Sequence, residues 1–265
     1  IAGEPIAGTD ALTRLVAARG SQPLPMTVQR GENTLQLTLT PHRDENSGAY
    51  RIGAWVRDST AGVGTLSFYG EVEPGEGLRY GALGHAITDA DTRQVLTIGR
   101  GEIMTADVVQ VRKGQAGFPG ELKGSFLSRQ HSLGSIRIND RFGIYGPMTE
   151  APAHPLYPEG LPVGRKDGVH TGKATILCTV DAEGMKEYDI EIVEVNRQSR
   201  PAQRSMVVKV VDPELLEKTG GIVQGMSGSP ILQNGKLVGA VTHVLVNDPT
   251  TGYGIFIENM LEAAS

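Results

Sequence analysis

Cysteine is almost absent from this chain, with 1 in 265 residues, so no disulfide can form within it. Cys178 stands inside the apolar run Ala174-Thr175-Ile176-Leu177-Cys178-Thr179-Val180 and reads as a buried structural thiol rather than a nucleophile. Long apolar runs are lacking too: none approaches the ~18 residues that span a bilayer. The net charge is −5 and no basic run occurs, which argues against nucleic acid and anionic membrane surfaces as partners. Neither a His-Glu-x-x-His helix nor a Cys-x-x-Cys pair is present, so metal-dependent hydrolysis is disfavoured and no cofactor or metal is expected. A signal peptide and an initiator methionine are also missing. The chain therefore reads as a processed or trimmed piece whose N-terminal part, with any targeting or membrane segment, has gone.

What the chain has in quantity is glycine, at 35 residues, spread between short apolar runs. That texture predicts a mostly β protein of strands and turns. Thr9 or Asp10 is placed to cap a helix over Leu12, Leu15 and Val16 that Gly20 closes. Strands are predicted at residues 26–30 and 34–39, joined by a turn at Gly31-Glu32-Asn33. This order resembles the second half of a PDZ domain, giving an α+β unit over residues 1–41 without the carboxylate-binding loop. A polar linker is expected over 42–49. From residue 50 to 265 short strands follow one another with no long helical period, as in a barrel or sandwich. Asp212 followed by Pro213 is a good helix start, residues 247–254 read as a loop, and a terminal helix is expected from Asn259.

The chemistry centres on Gly225-Met226-Ser227-Gly228-Ser229-Pro230. Two glycines around a serine allow a sharp turn that holds a hydroxyl outward and leaves backbone N–H groups free to meet an anion. The same residues could equally be a plain glycine-rich turn. A serine hydroxyl becomes nucleophilic only when a base takes its proton, and histidine is the usual base. Of the 6 histidines, His42, His131 and His154 stand in polar or proline-flanked loops, and His170 in a turn. His85 differs: it ends an apolar run after Gly84, where a strand delivers a side chain to a cleft.

The order His85 then Ser227, one in each half, resembles chymotrypsin-like two-barrel peptidases. Their serine sits in Gly-x-Ser-Gly-Gly-Pro; here Ser229 replaces the second of the paired glycines. A more specific resemblance is carried by Trp55-Val56-Arg57-Asp58, Gly62-Val63-Gly64-Thr65-Leu66, Ala82-Leu83-Gly84-His85, Gly117-Phe118-Pro119-Gly120-Glu121-Leu122, the run from Thr219 to Ile231, and Gly239-Ala240-Val241-Thr242-His243-Val244. These stretches are similar to the SpoIVB peptidases of spore-forming bacteria.

The resemblance implies a chymotrypsin-like serine endopeptidase over residues 50–265, behind the PDZ half. It implies regulatory proteolysis between the two membranes around the developing spore. The substrate would be a partner protein that restrains an intramembrane protease, and the enzyme would also cleave itself, which allows self-association. It places the orienting acid on Asp212, with Asp140 as the alternative. The oxyanion would be met by the N–H groups of Gly225 and Ser227. The strand carrying Val241, Thr242 and His243 would pair with an extended substrate, with His243 lining the pocket. The competing reading is a non-enzymatic scaffold with an inert peptidase-like barrel.

Overall fold

The computed structural model describes residues 1–72, 74–125, 132–198 and 200–265. The chain divides into two compact units, Ile1–Ala61 and Gly62–Ser265.

The first unit holds α1 (Thr9–Arg19), β1 (Leu24–Arg30), β2 (Asn33–Leu39), β3 (His42–Arg43) and β4 (Tyr50–Arg51). β1 and β2 pair antiparallel from Leu24↔Leu39 to Arg30↔Asn33, which leaves Gly31-Glu32 as a two-residue turn. The cap of α1 comes from neither Thr9 nor Asp10. Asp58 supplies it, accepting the Thr9 N–H at 2.8 Å and the Thr9 hydroxyl at 3.0 Å. The stretch read as a linker is a small hairpin, β3 on β4, and Tyr50 packs beside Gly20 at the end of α1. The compact unit runs to Ala61. The strand expected beyond Arg51 is not formed: Gly53 takes φ +70 and Trp55 is 94% exposed.

In the second unit come β5 (Leu66–Glu71), β6 (Leu78–Ala82), β7 (Glu102–Met104), β8 (Asp107–Arg112), β9 (Glu121–Ser125), β10 (Ser132–Ser135), β11 (Ile138–Asp140) and β12 (Gly143–Pro147). They make a four-stranded sheet in the order β11-β12-β6-β5 and two separate pairs, β10 with β7 and β8 with β9. Among the described residues it is the second half that forms a closed barrel. It comprises β13 (Gly172–Thr179), β14 (Met185–Val195), β15 (Met206–Val210), α2 (Pro213–Thr219), β16 (Pro230–Gln233), β17 (Lys236–Leu245), β18 (Asp248–Phe256) and α3 (Ile257–Ala264). Its six strands form a closed barrel, β13-β14-β15-β18-β17-β16.

Strand alternation builds the barrel core. Along β14, Tyr188, Ile190 and Ile192 are buried while Asp189, Glu191 and Val193 face out. They meet Ile176, Val208, Ile231 and Val241 inside. A second cluster lies outside the barrel wall, where Ile257 and Met260 of α3 join Leu177, Ala240, Ile255 and Tyr145. It fastens α3 and the sheet of the first half to the barrel. The predicted loop at 247–254 is β18. Its glycines are needed because a Cβ on Gly252 would lie 2.6 Å from the His243 carbonyl oxygen, and one on Gly254 2.7 Å from Ile231. Cys178 is buried in the core, and burial, with the Asp212 charge nearby, pushes its thiol up to about 12. Burial of this kind disfavours the thiolate, the reactive form of a cysteine.

Candidate active site

The serine turn starts from α2, which Asp212 caps and which ends on left-handed Gly220 at φ +74. The Thr219 hydroxyl donates to the Leu215 carbonyl at 2.8 Å and sets the exit of the helix. Ile222 then donates to the Pro249 carbonyl and Gln224 to that of Gly120. Gly225, at φ +101, lies against Leu122. Met226 is fully buried and anchors the turn. Gly228 takes φ +95, and a Cβ there would lie 2.1 Å from the Thr65 carbonyl oxygen and 2.6 Å from the Leu83 nitrogen. Thr65 is the splint. Its N–H donates to the Ser227 carbonyl at 2.9 Å and its hydroxyl to that of Gly225 at 3.0 Å.

The same Thr65 accepts the Leu83 N–H, which ties the histidine loop to the serine turn. There β6 stops in a strained turn. Leu83 has φ +71, and the Gly84 N–H donates back to the Ala82 carbonyl at 2.9 Å, closing a γ-turn. Gly84 follows at φ +67, where a Cβ would lie 2.8 Å from the Thr242 methyl. His85 comes next, half-buried, with Nδ1 2.9 Å from the Ala86 carbonyl oxygen. Protonated at Nδ1, the ring donates to that carbonyl and presents the lone pair of Nε2. Beyond it, Asn139 staples the loop: its Oδ1 accepts the Ile87 N–H, and its Nδ2 donates to the Ile87 and Leu96 carbonyls.

Thr242 and His243 complete the cluster. A bulge between Val241 and His243 breaks the register of β17 against β18. It leaves the Thr242 hydroxyl donating to the Tyr253 carbonyl at 3.2 Å, and the Thr242 carbonyl accepting the Ser227 hydroxyl at 2.9 Å. The rings of His85 and His243 have centroids 5.0 Å apart, tilted by 39°. Burial, with the charges of His85 and Arg204, holds the His243 imidazole below the usual histidine range.

The structure therefore brings Ser227, His85, Thr242 and His243 together, with Val241 behind them in the barrel core. The Gly225 and Ser227 N–H groups donate to no acceptor among the described residues, whereas those of Met226 and Gly228 are taken by Val223 and Val241. β17 pairs with β16 only as far as Ala240, so from His243 to Leu245 one of its edges carries no strand among the described residues.

The two candidate acids stand elsewhere. Asp212 follows the end of β15 and accepts the Leu215 N–H at 2.9 Å and the Asp189 N–H at 3.2 Å. On the barrel, His243 faces Tyr253 of β18 and Tyr253 faces Val207 of β15. The remainder of β15 then separates Val207 from Asp212. In this structure the carboxylate serves the helix cap and makes no hydrogen bond to a histidine among the described residues. Asp140 caps its own hairpin by accepting the Phe142 N–H at 2.7 Å. The backbone carbonyl of Ala86 occupies the place at Nδ1 that an acid would hold.

Of the other histidines, His154 accepts the N–H groups of Leu156 and Tyr157, and His170 meets Thr171 and Asn234. His42 belongs to the first unit, and His131 lies outside the described residues. No group of three or more His, Cys, Asp or Glu among the described residues is placed to hold a metal. The sequence reading missed Thr65, Asn139 and the Ala86 carbonyl. A threonine directly after Gly62-Val63-Gly64 was the available signal for the first, and an asparagine next to a candidate acid for the second.

Comparison with solved structures gives the Rv3671c protease in its inactive form, at 15% identity and a TM-score of 0.34 over 49% of this chain and 64% of that one. It also gives the HtrA-type protease AlgW with a decapeptide, at 17% identity and a TM-score of 0.36 over 70% of this chain and 51% of that one. The chain thus spans between about half and two thirds of the length of these two proteins. No curated protein matches it significantly. A family model described as SpoIVB peptidase S55 matches residues 48–261, most of the chain and all of the site just described, and the chain belongs to that family.

Proposed function

We propose that this chain is a serine endopeptidase of regulatory proteolysis, with Ser227 as nucleophile and His85 as general base. The observation that carries the reading is the interlock at Thr65 and Thr242. It sets a glycine-flanked serine and a strained histidine turn against the same two residues. In the reaction the Ser227 hydroxyl rotates from the Thr242 carbonyl toward the His85 Nε2, gives up its proton and attacks the substrate carbonyl. The N–H groups of Gly225 and Ser227 meet the oxyanion, each worth about 10²–10³ in rate. The Ala86 carbonyl steadies the imidazolium at Nδ1. The open edge of β17 receives the extended substrate, with Val241, Thr242 and His243 on its floor.

Family membership supports the finer reading. The substrate is a protein that restrains an intramembrane protease during sporulation, the enzyme cleaves its own chain, and it works in the space between the two spore membranes. The first unit supplies the second half of a PDZ domain. A fluorophosphonate probe tests the chemistry. It labels the wild type and not Ser227→Ala, and chelators leave labelling unchanged. A folded wild type that takes no label returns the chain to the scaffold reading. Two observations favour that alternative as the resting state: the Ser227 hydroxyl is held by Thr242, and among the described residues no carboxylate holds His85.

A further inference from the structure

We propose that His85 and His243 together form a binding site for a zinc-type divalent transition-metal ion, which shuts the serine site when it is filled. The geometry of the two rings is the first support. Two imidazoles on one tetrahedral zinc, each with a Zn–N bond of about 2.0–2.1 Å, place their ring centres about 5 Å apart. Here the centroids are 5.0 Å apart, before any ion is bound.

The contact behind His85 is the second support. A ligating histidine characteristically donates its far N–H to a carbonyl or carboxylate, which fixes the tautomer and aims the other nitrogen at the metal. His85 has this arrangement through Nδ1 and the Ala86 carbonyl. The same tautomer serves the general-base role, so this contact supports the metal site only together with the separation of the two rings. Access is the third. His243 is exposed and its strand edge is open, so an ion can enter from solvent without rearrangement of the barrel.

Two protein ligands leave two tetrahedral positions for water. Such a site binds reversibly and more weakly than the three- and four-ligand sites of zinc proteins. Imidazole favours zinc and copper over magnesium and calcium, so the hard cations are not expected to compete. Occupation takes the His85 lone pair that the serine needs, so that consequence rests on the peptidase reading, whereas the binding itself does not.

The experiment uses the whole chain with Ser227→Ala, which removes self-cleavage, and Zn²⁺ as the probe against a chromophoric chelator. One ion is expected per chain. His85→Ala and His243→Ala should each lose about tenfold or more in affinity, with His170→Ala as the unchanged control. In the parent, Zn²⁺ should broaden or shift the ring resonances of His85 and His243 before those of other histidines, which needs no variant to fold. Equal affinity in all variants, or resonances that first move elsewhere, overturns the site. In parallel, fluorophosphonate labelling of the wild type should be suppressed by Zn²⁺ and restored by a chelator. Labelling that persists at saturating Zn²⁺ overturns the shut-off. Zinc binding that depends on both histidines, in a wild type that never labels, supports the metal site and removes the peptidase reading instead.

Discussion

The hydroxyl of Ser227 donates to the carbonyl of Thr242, at 2.9 Å, and not to the imidazole of His85. The nucleophile therefore rests on the strand that lies beside the substrate's place. A hydrogen bond of this kind is worth about 0.5–1.5 kcal/mol net, a small barrier to releasing the hydroxyl.

The turn before His85 sets how closely the two loops approach. Gly84→Ala puts a methyl 2.8 Å from the Thr242 methyl, at φ +67. The left-handed backbone alone costs about 1–2 kcal/mol for a residue with a Cβ. Fluorophosphonate labelling should fall at least about tenfold, with a lower melting temperature. Labelling at the wild-type rate would show that this turn does not position the base.

Asn139 makes three hydrogen bonds to the loop that carries His85. Asn139→Ala leaves the Ile87 N–H and two carbonyls without their partner, a loss of about 1–3 kcal/mol where such groups stay buried. Asn139→Asp keeps an acceptor for the Ile87 N–H and loses both donors. Denaturant unfolding should rank the wild type first, Asp second and Ala last, with labelling in the same order. Equal stability of all three would remove Asn139 as the staple.

Asp212 separates a helix cap from a catalytic acid. Asn caps a helix about as well as Asp, whereas Ala costs about 0.5–2 kcal/mol. Asp212→Asn should keep both the melting temperature and the labelling rate, and Asp212→Ala should lose stability. If Asp212 acted as the orienting acid, Asp212→Asn would cut the rate by about 10⁴ without loss of stability. That result would restore the carboxylate to the histidine.

Acid should expose a second electrostatic device. Lys218 lies 2.5 Å from Asp181, 2.7 Å from Glu214 and 3.2 Å from Glu183, and Lys186 joins the two glutamates. The Lys218 hydrogen bond holds Asp181 below its usual value, and that of Lys186 does the same for Glu183 and Glu214. A carboxylate lowered by folding stabilises the fold above its ordinary range, near pH 4, and loses that effect as pH falls through the folded value. Lys218→Ala should melt lower than the wild type at pH 7. The two curves should converge as acid protonates these carboxylates, and the gap at pH 7 should shrink in salt. A gap that persists at pH 2 would assign the loss to packing.

Much of the barrel was legible because its strands alternate: β14 buries every second residue, and a period of two survives in sequence. The run 248–254 was not legible, since Asp, Pro, Thr and Gly normally mark a loop. Here glycines allow close approach to β17, and Asp248 is used up by Thr250 and Thr251. The serine and histidine could be found because a glycine-bracketed serine and a histidine after an apolar run are local signals. Their supports could not be found in the same way. Thr65 reaches Ser227 across most of the chain, and the partner of His85 is a backbone carbonyl, which no side-chain pattern reveals. Asp212 carries two readings in the sequence, since the resemblance places the orienting acid there and an aspartate before proline is also a good helix start. The folded chain uses it for the cap.

The open edge of β17 is short, running from His243 to Leu245. An extended peptide laid along it gains two or three main-chain hydrogen bonds, together about 1–4 kcal/mol net. Millimolar affinity already corresponds to about 4 kcal/mol. The edge by itself therefore aligns a chain without retaining it, and dwell time has to come from contacts outside the barrel. A short free peptide carrying the cleavage sequence should accordingly be a poor substrate, while the same sequence inside a protein that touches the enzyme elsewhere should be a good one.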